Sequence, residues 1–561
     1  MLLHFIGGSS HSDQTIRVDS RVENNGKSLR NPVMFSTVDG GSCAEDDVGT
    51  LPFNAFQHLV CVRSRPIRNR RVRTKRVNSM IHKLALAAVA FLPLLVGNSL
   101  AADRPNIVLV FIDDMGWGDF SCFGNEVVQT QNIDRLAAEG VRFEQFYVNS
   151  PICSPSRVAI STGQYPQRWR ITSYLNNRNS NIQRGMAQWL DPSAPMLARM
   201  LHEAGYATGH FGKWHMGGQR DVGEAPLITE YGFDASLTNF EGLGPRVLAL
   251  KDAYDGKPAQ KHTLGSDKLG RGEITWEERS KVTASFTTAA LEFIKQAASK
   301  DQPFYINVWP DDVHSPFFPP AARRGDGTKR TLYHGVLDTM DEQLGVLFDY
   351  IRDTNALRSN TLILVCSDNG PEQGAGSAGP LRGYKTMLYE GGIRSSLIAW
   401  GPGLMDEDDV GKVNRKSTFA AIDLVPTILD IAQVAAPVAV DFDGEALPKV
   451  VLGRSQTSRS RPLFFRRPPD RDAFYGVADL PDLAVREKSW KLLCEYDGTD
   501  TQLYNLATDP SEKTNVSDQH PDMVARLKTE LLAWHKSMPP DNGATFVNRR
   551  RAKSKGAKKR P

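Results

Sequence analysis

Residues 151–163 read PICSPSRVAISTG, with one cysteine and an arginine four positions later. At the start of a helix this spacing puts Cys153 and Arg157 on one face. Ser154, Pro155 and Ser156 suit a first turn, and a helix N-terminus draws anions. The local chemistry is a nucleophile beside an anion hole. Asp113 and Asp114 form a carboxylate pair elsewhere, and Asp368 and Asn369 form a second oxygen-bearing pair. These four side chains present oxygen donors without thiolate or imidazole, a set that selects a hard divalent cation, calcium or magnesium. Lys213 and His215 alternate along GKWHMG and would point to one side of an extended segment. His314 follows an apolar run and precedes Ser315 and Pro316, a setting that favours a site over a packing role. Asp311 and Asp312 are near enough in sequence to reach the same pocket and have no assigned part.

The stretch around Cys153 resembles the sulfatase signature C-x-P-S-R closed by T-G, matched here by Cys153, Pro155, Ser156, Arg157, Thr162 and Gly163. Ser161 stands where that family usually carries leucine or methionine. GKWHMG is similar to the family's G-K-W-H-L-G. Glu390, Gly391, Gly392 and Arg394 match its E-G-G-x-R, with Ser395 and Ser396 in place of a common Val-Pro. By this resemblance, over residues 104–536, the chain is identified as a formylglycine-dependent (type I), arylsulfatase-like member of the alkaline-phosphatase-like superfamily.

The resemblance implies that Cys153 is oxidised after synthesis to formylglycine (3-oxoalanine) by a formylglycine-generating enzyme. It implies one metal ion, calcium ahead of magnesium, held by Asp113, Asp114, Asp368, Asn369 and the modified residue 153. It places Arg157, Lys213 and Lys385 around the sulfate, His314 on the substrate side and His215 beside the modified residue. The implied reaction is hydrolysis of a sulfate monoester, of a sulfated carbohydrate or an aryl sulfate. A hydroxyl of the hydrated aldehyde attacks sulfur, with Asp368 helping to remove its proton. His314, with Lys385, protonates the departing alcohol, and His215 takes the proton of the second hydroxyl as sulfate leaves. Relatives in the superfamily with the same modified cysteine hydrolyse phosphonate monoesters or phosphodiesters. An unmodified Cys153 would leave a non-catalytic anion-binding protein. A cysteine-phosphatase loop is excluded, because it needs arginine six residues after the cysteine and position 159 is Ala.

Such residues must be positioned by strands that end together. Residues 106–112 (NIVLVFI) are apolar throughout, as in a strand buried on both faces of a parallel sheet. Similar runs predict strands over 207–211, 304–309, 361–366 and 396–400. Helices are expected over 133–139, 194–204, 275–299 and 330–355. This alternation is the α/β pattern, and four polar clusters follow the strands, at the edge where open parallel sheets bind ligands. The expected fold class is α/β. A large, mostly parallel or mixed sheet is sandwiched by helices, alkaline-phosphatase-like, beside a smaller C-terminal antiparallel-sheet subdomain. The glycine-rich segment 217–272 reads as long loops around the pocket mouth that choose the sugar. From 441 the texture changes to short strands and turns with a closing helix over 521–536, and LYNLATDPSEKTN resembles a tail mark of sulfatases.

The expected organisation is a catalytic domain over 104–440 and an α+β subdomain over 441–540. Residues 1–79 read as disordered or untranslated. From Met80 a short basic start and an apolar run over 84–96 precede Ser99 and Ala101, small residues of a cleavage site. The run of about 13 residues is short of the roughly 20 that a membrane span needs. Residues 80–101 therefore read as a signal peptide, and the mature protein as periplasmic or secreted without stable membrane insertion. The net charge is +4, but residues 63–76 and 549–560 hold sixteen basic side chains and no acid, which leaves −12 for the rest. Solvated tails explain such segments, 548–561 being a basic disordered one, and no nucleic-acid partner is expected. None of the six cysteines shows C-x-x-C spacing, which argues against a zinc site, and six are too few for a disulfide scaffold. With Cys153 modified, Cys122, Cys366 and Cys494 remain outside the N-terminal extension, and at most two of them can pair.

Overall fold

The structure is a computed structural model that describes residues 104–251, 258–468, 470 and 480–542. The expected signal peptide, the N-terminal extension and the basic C-terminal tail lie outside the described residues. The main sheet begins with β1 (Asn106–Ile112), β2 (Val141–Tyr147), β3 (Ala207–Gly212) and β4 (Ala235–Leu237). An insert contributes β5 (Arg246–Lys251), β6 (Gln260–His262) and β7 (Ile274–Glu278). The main sheet resumes with β8 (Phe304–Trp309), β9 (Thr361–Ser367), β10 (Arg394–Trp400), and the two-residue β11 (Val413–Asn414) and β12 (Phe419–Ala420). Across it the order is β11-β2-β10-β9-β1-β8-β3-β4, with β12 also on β2. The run from β9 to β4 is parallel, and β10 is antiparallel to both neighbours.

The apolar run in β1 has a direct cause. Ile107, Leu109 and Phe111 enter one core, while Val108, Val110 and Ile112 enter the other, so these six positions are all apolar. On the first face lie α2 (Cys153–Thr162), α3 (Leu197–Glu203) and α6 (Ala421–Ile431), through residues such as Val158, Leu201 and Ile428. On the second lie α1 (Gln131–Ala138), α4 (Val282–Ala298) and α5 (Lys329–Asp353), through Ile133, Ile294 and Leu344. Each such side chain, fully buried, contributes about 1.5–3 kcal/mol.

A four-stranded antiparallel sheet follows, from β13 (Leu463–Arg466), β14 (Leu483–Glu487), β15 (Trp490–Cys494) and β16 (Gln502–Asn505). It is closed by α7 (Pro521–Ser537) through Leu527, Leu531 and Trp534. Its core is shared with Tyr147, Met387, Leu388 and Ile393 of the main body.

The fold class is the expected one, a mixed sheet between helices with a small antiparallel sheet. Two local expectations are corrected, and one strand is added. Segment 217–272 is not all loop, since β5 pairs with β6 and β7 in a sheet of its own. Its Val247 and Leu248 are buried, a short apolar signal that the surrounding glycines masked. The helix expected over 275–299 begins only at Val282, because Ile274, Thr275 and Trp276 are strand formers and pair with β5. β2 was not expected, because Arg142, Glu144 and Gln145 interrupt its apolar pattern and are only partly buried. Cys122, Cys366 and Cys494 are free thiols. Among the described residues no helix is long and apolar enough to cross a membrane.

Candidate active site

β9, β1, β8 and β3 are consecutive in the sheet, so whatever follows them meets at one edge. Asp113 and Asp114 follow β1, Asp368 and Asn369 lie just past β9, Lys213 follows β3, and His314 lies beyond β8. Cys153 and Arg157 arrive on the first turns of α2, beneath that edge. Arg157 is fully buried. Its guanidinium lies 3.2 Å from Asp113, 2.8 Å from Asp368 and 2.8 Å from the Lys213 carbonyl oxygen. It also rests 5.7 Å from the Phe111 ring and 5.3 Å from the Trp309 ring, in cation–π range. Lys213 Nζ is 2.6 Å from Asp113 Oδ2, and Lys385 Nζ is 2.5 Å from Asp114 Oδ2. The Asn369 amide donates to Asp114 at 2.8 Å. All the residues expected at the site from sequence thus lie in one place.

Three buried carboxylates share this spot. The ligand oxygens of Asp113, Asp114 and Asp368 lie within 4.8 Å of one another, as do those of Asp113, Cys153 Sγ and a His314 ring nitrogen. Burial pushes Asp368 well up, and neighbouring Asp113 adds to this. Asp113 is held well down despite burial, by Lys213, then His314 and Arg157. Asn369 Oδ1 is buried without a hydrogen-bond partner. Crowded carboxylates and an unpartnered amide oxygen form the all-oxygen set that a hard divalent cation fits. Burial also pushes the Cys153 thiol far up, against the pull of Lys213 and Lys385. Unmodified, it is a thiol and not a thiolate at neutral pH, and a thiol is a weak nucleophile.

His314 Nδ1 lies 2.7 Å from the Ser315 carbonyl oxygen. A carbonyl only accepts, so Nδ1 carries a hydrogen and Nε2 faces Asp114 at 3.6 Å. His215 differs. Its Nε2 is 3.0 Å from the Leu175 carbonyl oxygen and its Nδ1 is 2.8 Å from Glu241 Oε2. A carbonyl only accepts, so Nε2 carries a hydrogen, and Nδ1 faces Glu241 Oε2 without the alignment of a hydrogen bond. Burial pushes His215 down while Glu241 pulls it up, and Glu241 stays low through His215 and Lys213 in spite of burial. Lys213 Nζ is 3.2 Å from the same Glu241 oxygen. The extended geometry expected for GKWHMG ends at His215, whose φ is +53°. It is Glu241 that gathers Lys213 and His215. Glu241 was missed because it belongs to no motif, and one glutamate in a loop-like segment is too common a signal. Asp311 and Asp312 pair with Arg279 at 3.1 and 3.9 Å.

Lys385 rides on a loop that returns on itself. A Cβ on Gly392 would sit 2.0 Å from the Met387 carbonyl oxygen, and one on Gly391 would sit 2.4 Å from that of Gly383, so both positions require glycine. Glu390 fixes the turn from below. It accepts from Tyr147 Oη at 2.5 Å and meets Lys491 Nζ at 2.9 Å, while Lys491 also meets Glu512 at 2.8 Å. The small sheet therefore holds the loop that presents Lys385. Asp114, His215 and Thr386 all have positive φ, a strain of order 1–3 kcal/mol each that persists where structure over-determines it.

A cavity of about 260 Å³ opens onto these groups, lined by Cys153, His215, His314 and Lys385 and also by Arg220 and Lys251. A larger one of about 610 Å³ lies between residues 127–132 and 322–342 and holds none of them.

The sequence matches the Sulfatase family over residues 105–434. Residues 383–537 match the family described as N-sulphoglucosamine sulphohydrolase, C-terminal. The chain is 32% identical over 390 residues to N-acetylgalactosamine-6-sulfatase of Homo sapiens, covering 66% of this chain and 70% of that protein. It is 28% identical over 512 residues to an N-acetylgalactosamine-6-O-sulfatase of Bacteroides thetaiotaomicron, covering 78% and 94%. Among solved structures, Ps i-CgsB superposes with a TM-score of 0.63 at 25% identity, covering 77% of this chain and 93% of that one.

Proposed function

The chain belongs to the sulfatase family, and on that basis we propose that it hydrolyses sulfate monoesters of saccharides, N-acetylhexosamine 6-sulfates first among them, with residue 153 as the attacking group. The observation that carries the proposal is the convergence of Cys153, three buried carboxylates and three cations in one cluster. The choice of sugar is supported by the names of the human and Bacteroides relatives.

A sulfate ester is anionic and its alcohol leaves poorly. Arg157, Lys213 and Lys385 supply preorganised positive charge for the sulfate oxygens, in a site where water is largely excluded. A divalent cation held by Asp113, Asp114, Asp368, Asn369 and residue 153, calcium ahead of magnesium, would supply Lewis-acid polarisation. Conversion of Cys153 to formylglycine would replace an inert buried thiol with an aldehyde hydrate, and the raised thiol supports that need. His314, with Nδ1 fixed by Ser315, turns Nε2 to the cleft, where it protonates the departing alcohol. His215, whose Nε2 is held by Leu175, lines the cleft with residue 153, and its Nδ1 is the base for the proton of the second hydroxyl, with Glu241 beside it. Residues 104–440 carry the chemistry, and 441–540 brace the Lys385 loop. The signal-like segment 80–101 supports action outside the cytoplasm.

The test is sulfate release by ion chromatography, run on N-acetylgalactosamine 6-sulfate and an aryl sulfate beside a matched aryl phosphate diester. Faster turnover of the sulfates is expected. Faster turnover of the diester would move the protein to the phosphodiesterase branch of the superfamily.

A further inference from the structure

We propose that the catalytic cleft holds a second anion subsite built from Arg220 and Lys251, so that the preferred saccharide bears another anionic group besides the scissile sulfate. This inference rests on the sulfatase reading above. It comes from an account of charge along the cavity. The other cations at the site each have a carboxylate. Lys385 meets Asp114 and Lys213 meets Asp113 and Glu241, while Arg279 meets Asp311 and Asp312. Arg220 and Lys251 line the same cavity, and neither has a carboxylate partner among the described residues. Arg220 Nε is buried without a hydrogen-bond partner. Its backbone is also held at a φ of +53°, a conformation that costs a non-glycine residue of order 1–3 kcal/mol. A partly buried, unpaired guanidinium on a strained backbone is an expensive arrangement unless a ligand completes it.

The insert sheet aims the second cation. Lys251 ends β5, and His262 of β6 stands opposite Ala249. Alternate side chains share a face, so Lys251 and His262 lie on one side, and both line the cleft. His262 is pulled down to about 4 by burial and then by Lys251 and Arg279, with Asp311 opposing. Aromatic walls stand beside them, with Phe318 5.9 Å from Lys251 Nζ and Phe240 5.7 Å from the His262 ring. A sugar ring can rest on such walls while its charged substituent reaches the cations. Arg binds carboxylate and sulfate alike by charge-assisted forks, so the second group is either a uronate carboxylate or a second sulfate.

The test uses the full chain with Cys153→Ser, so that binding is read without turnover. Calorimetry compares a monosulfated N-acetylhexosamine with its disulfated form and with a disaccharide joining the monosulfated sugar to a uronic acid. At least one dianionic ligand is expected to bind roughly 10- to 100-fold tighter than the monosulfate, the range of a charged hydrogen bond. Which one does so identifies the group. Arg220→Gln with Lys251→Met should bring the ratio to within about threefold. Equal binding of all three ligands before these substitutions overturns the proposal, as does a preference that survives them in a folded double variant. Sulfate release by the unsubstituted enzyme is measured alongside. No release from any sulfate ester contradicts the sulfatase reading, whereas release without a binding preference contradicts only the subsite.

Discussion

Glu241→Gln removes one negative charge from the site and keeps the shape of the side chain. That charge lies 2.8 Å from His215 Nδ1 and 3.2 Å from Lys213 Nζ, with all three groups buried. At an effective dielectric of about 20, a unit charge at that distance from Lys213 is worth roughly 5 kcal/mol. Lys213 retains Asp113 at 2.6 Å, and the desolvation of the carboxylate, several kcal/mol, is no longer needed. The net loss is therefore about 3 kcal/mol, the low end for breaking a buried pair. The catalytic share falls on His215. Burial already pushes its pKa down and Glu241 opposes that, so the substitution lowers it further. A less basic imidazole accepts the proton of the second hydroxyl less readily. The expected result is a kcat lower by roughly 100- to 1,000-fold, with KM changed by less than about threefold. The assay is kcat and KM on an aryl sulfate between about pH 5 and 9, for Glu241→Gln, His215→Ala and the double variant. Because Glu241 acts through His215, the double variant should be no slower than His215→Ala alone. A Glu241→Gln kcat within threefold of the parent, or losses that multiply in the double variant, would refute this reasoning.

Lys491→Met leaves Glu390 and Glu512 buried without their shared cation. It should destabilise the protein by about 3–5 kcal/mol and loosen the Lys385 loop. Thermal unfolding and sulfate release check this, and an unchanged melting temperature contradicts it. Chelation of divalent cations should abolish sulfate release and lower the melting temperature. Calcium at about 100 times its Kd should restore roughly 2.7 kcal/mol, and thermal scans indifferent to calcium would count against the carboxylate cradle. Lys251→Met should let His262 rise from about 4 toward its ordinary value, because Lys251 is one of the charges that lowers it. Proton NMR of the His262 ring reads the midpoint, and a value that does not move removes Lys251 from the cleft's electrostatics.

Most of the candidate site was legible because its groups sit where the chain cannot vary its geometry much. β1 and β9 are buried on both faces and therefore apolar over 107–112 and 362–366, which makes the Asp113-Asp114 and Asp368-Asn369 pairs stand out beyond them. Cys153 and Arg157 are tied by helix spacing. What escaped was set by tertiary contact. β2 has polar positions that are only partly buried, so its alternation was faint. The strands β5 to β7 are short and spaced by glycines, so a sheet looked like loops. Glu241 gains its role only because that segment returns to Lys213 and His215, and no local pattern announces the return. The pairing of Glu390 with Lys491, likewise, joins residues 101 positions apart.

The most direct test of the account is the mass of the peptide that carries residue 153, taken from protein that releases sulfate. Replacing the thiol-bearing methylene of a cysteine by an aldehyde lowers the residue mass by about 18 Da. The account predicts that active protein yields the lighter peptide, and that sulfate release scales with its fraction. Active protein in which residue 153 keeps its thiol mass would contradict the account at its centre.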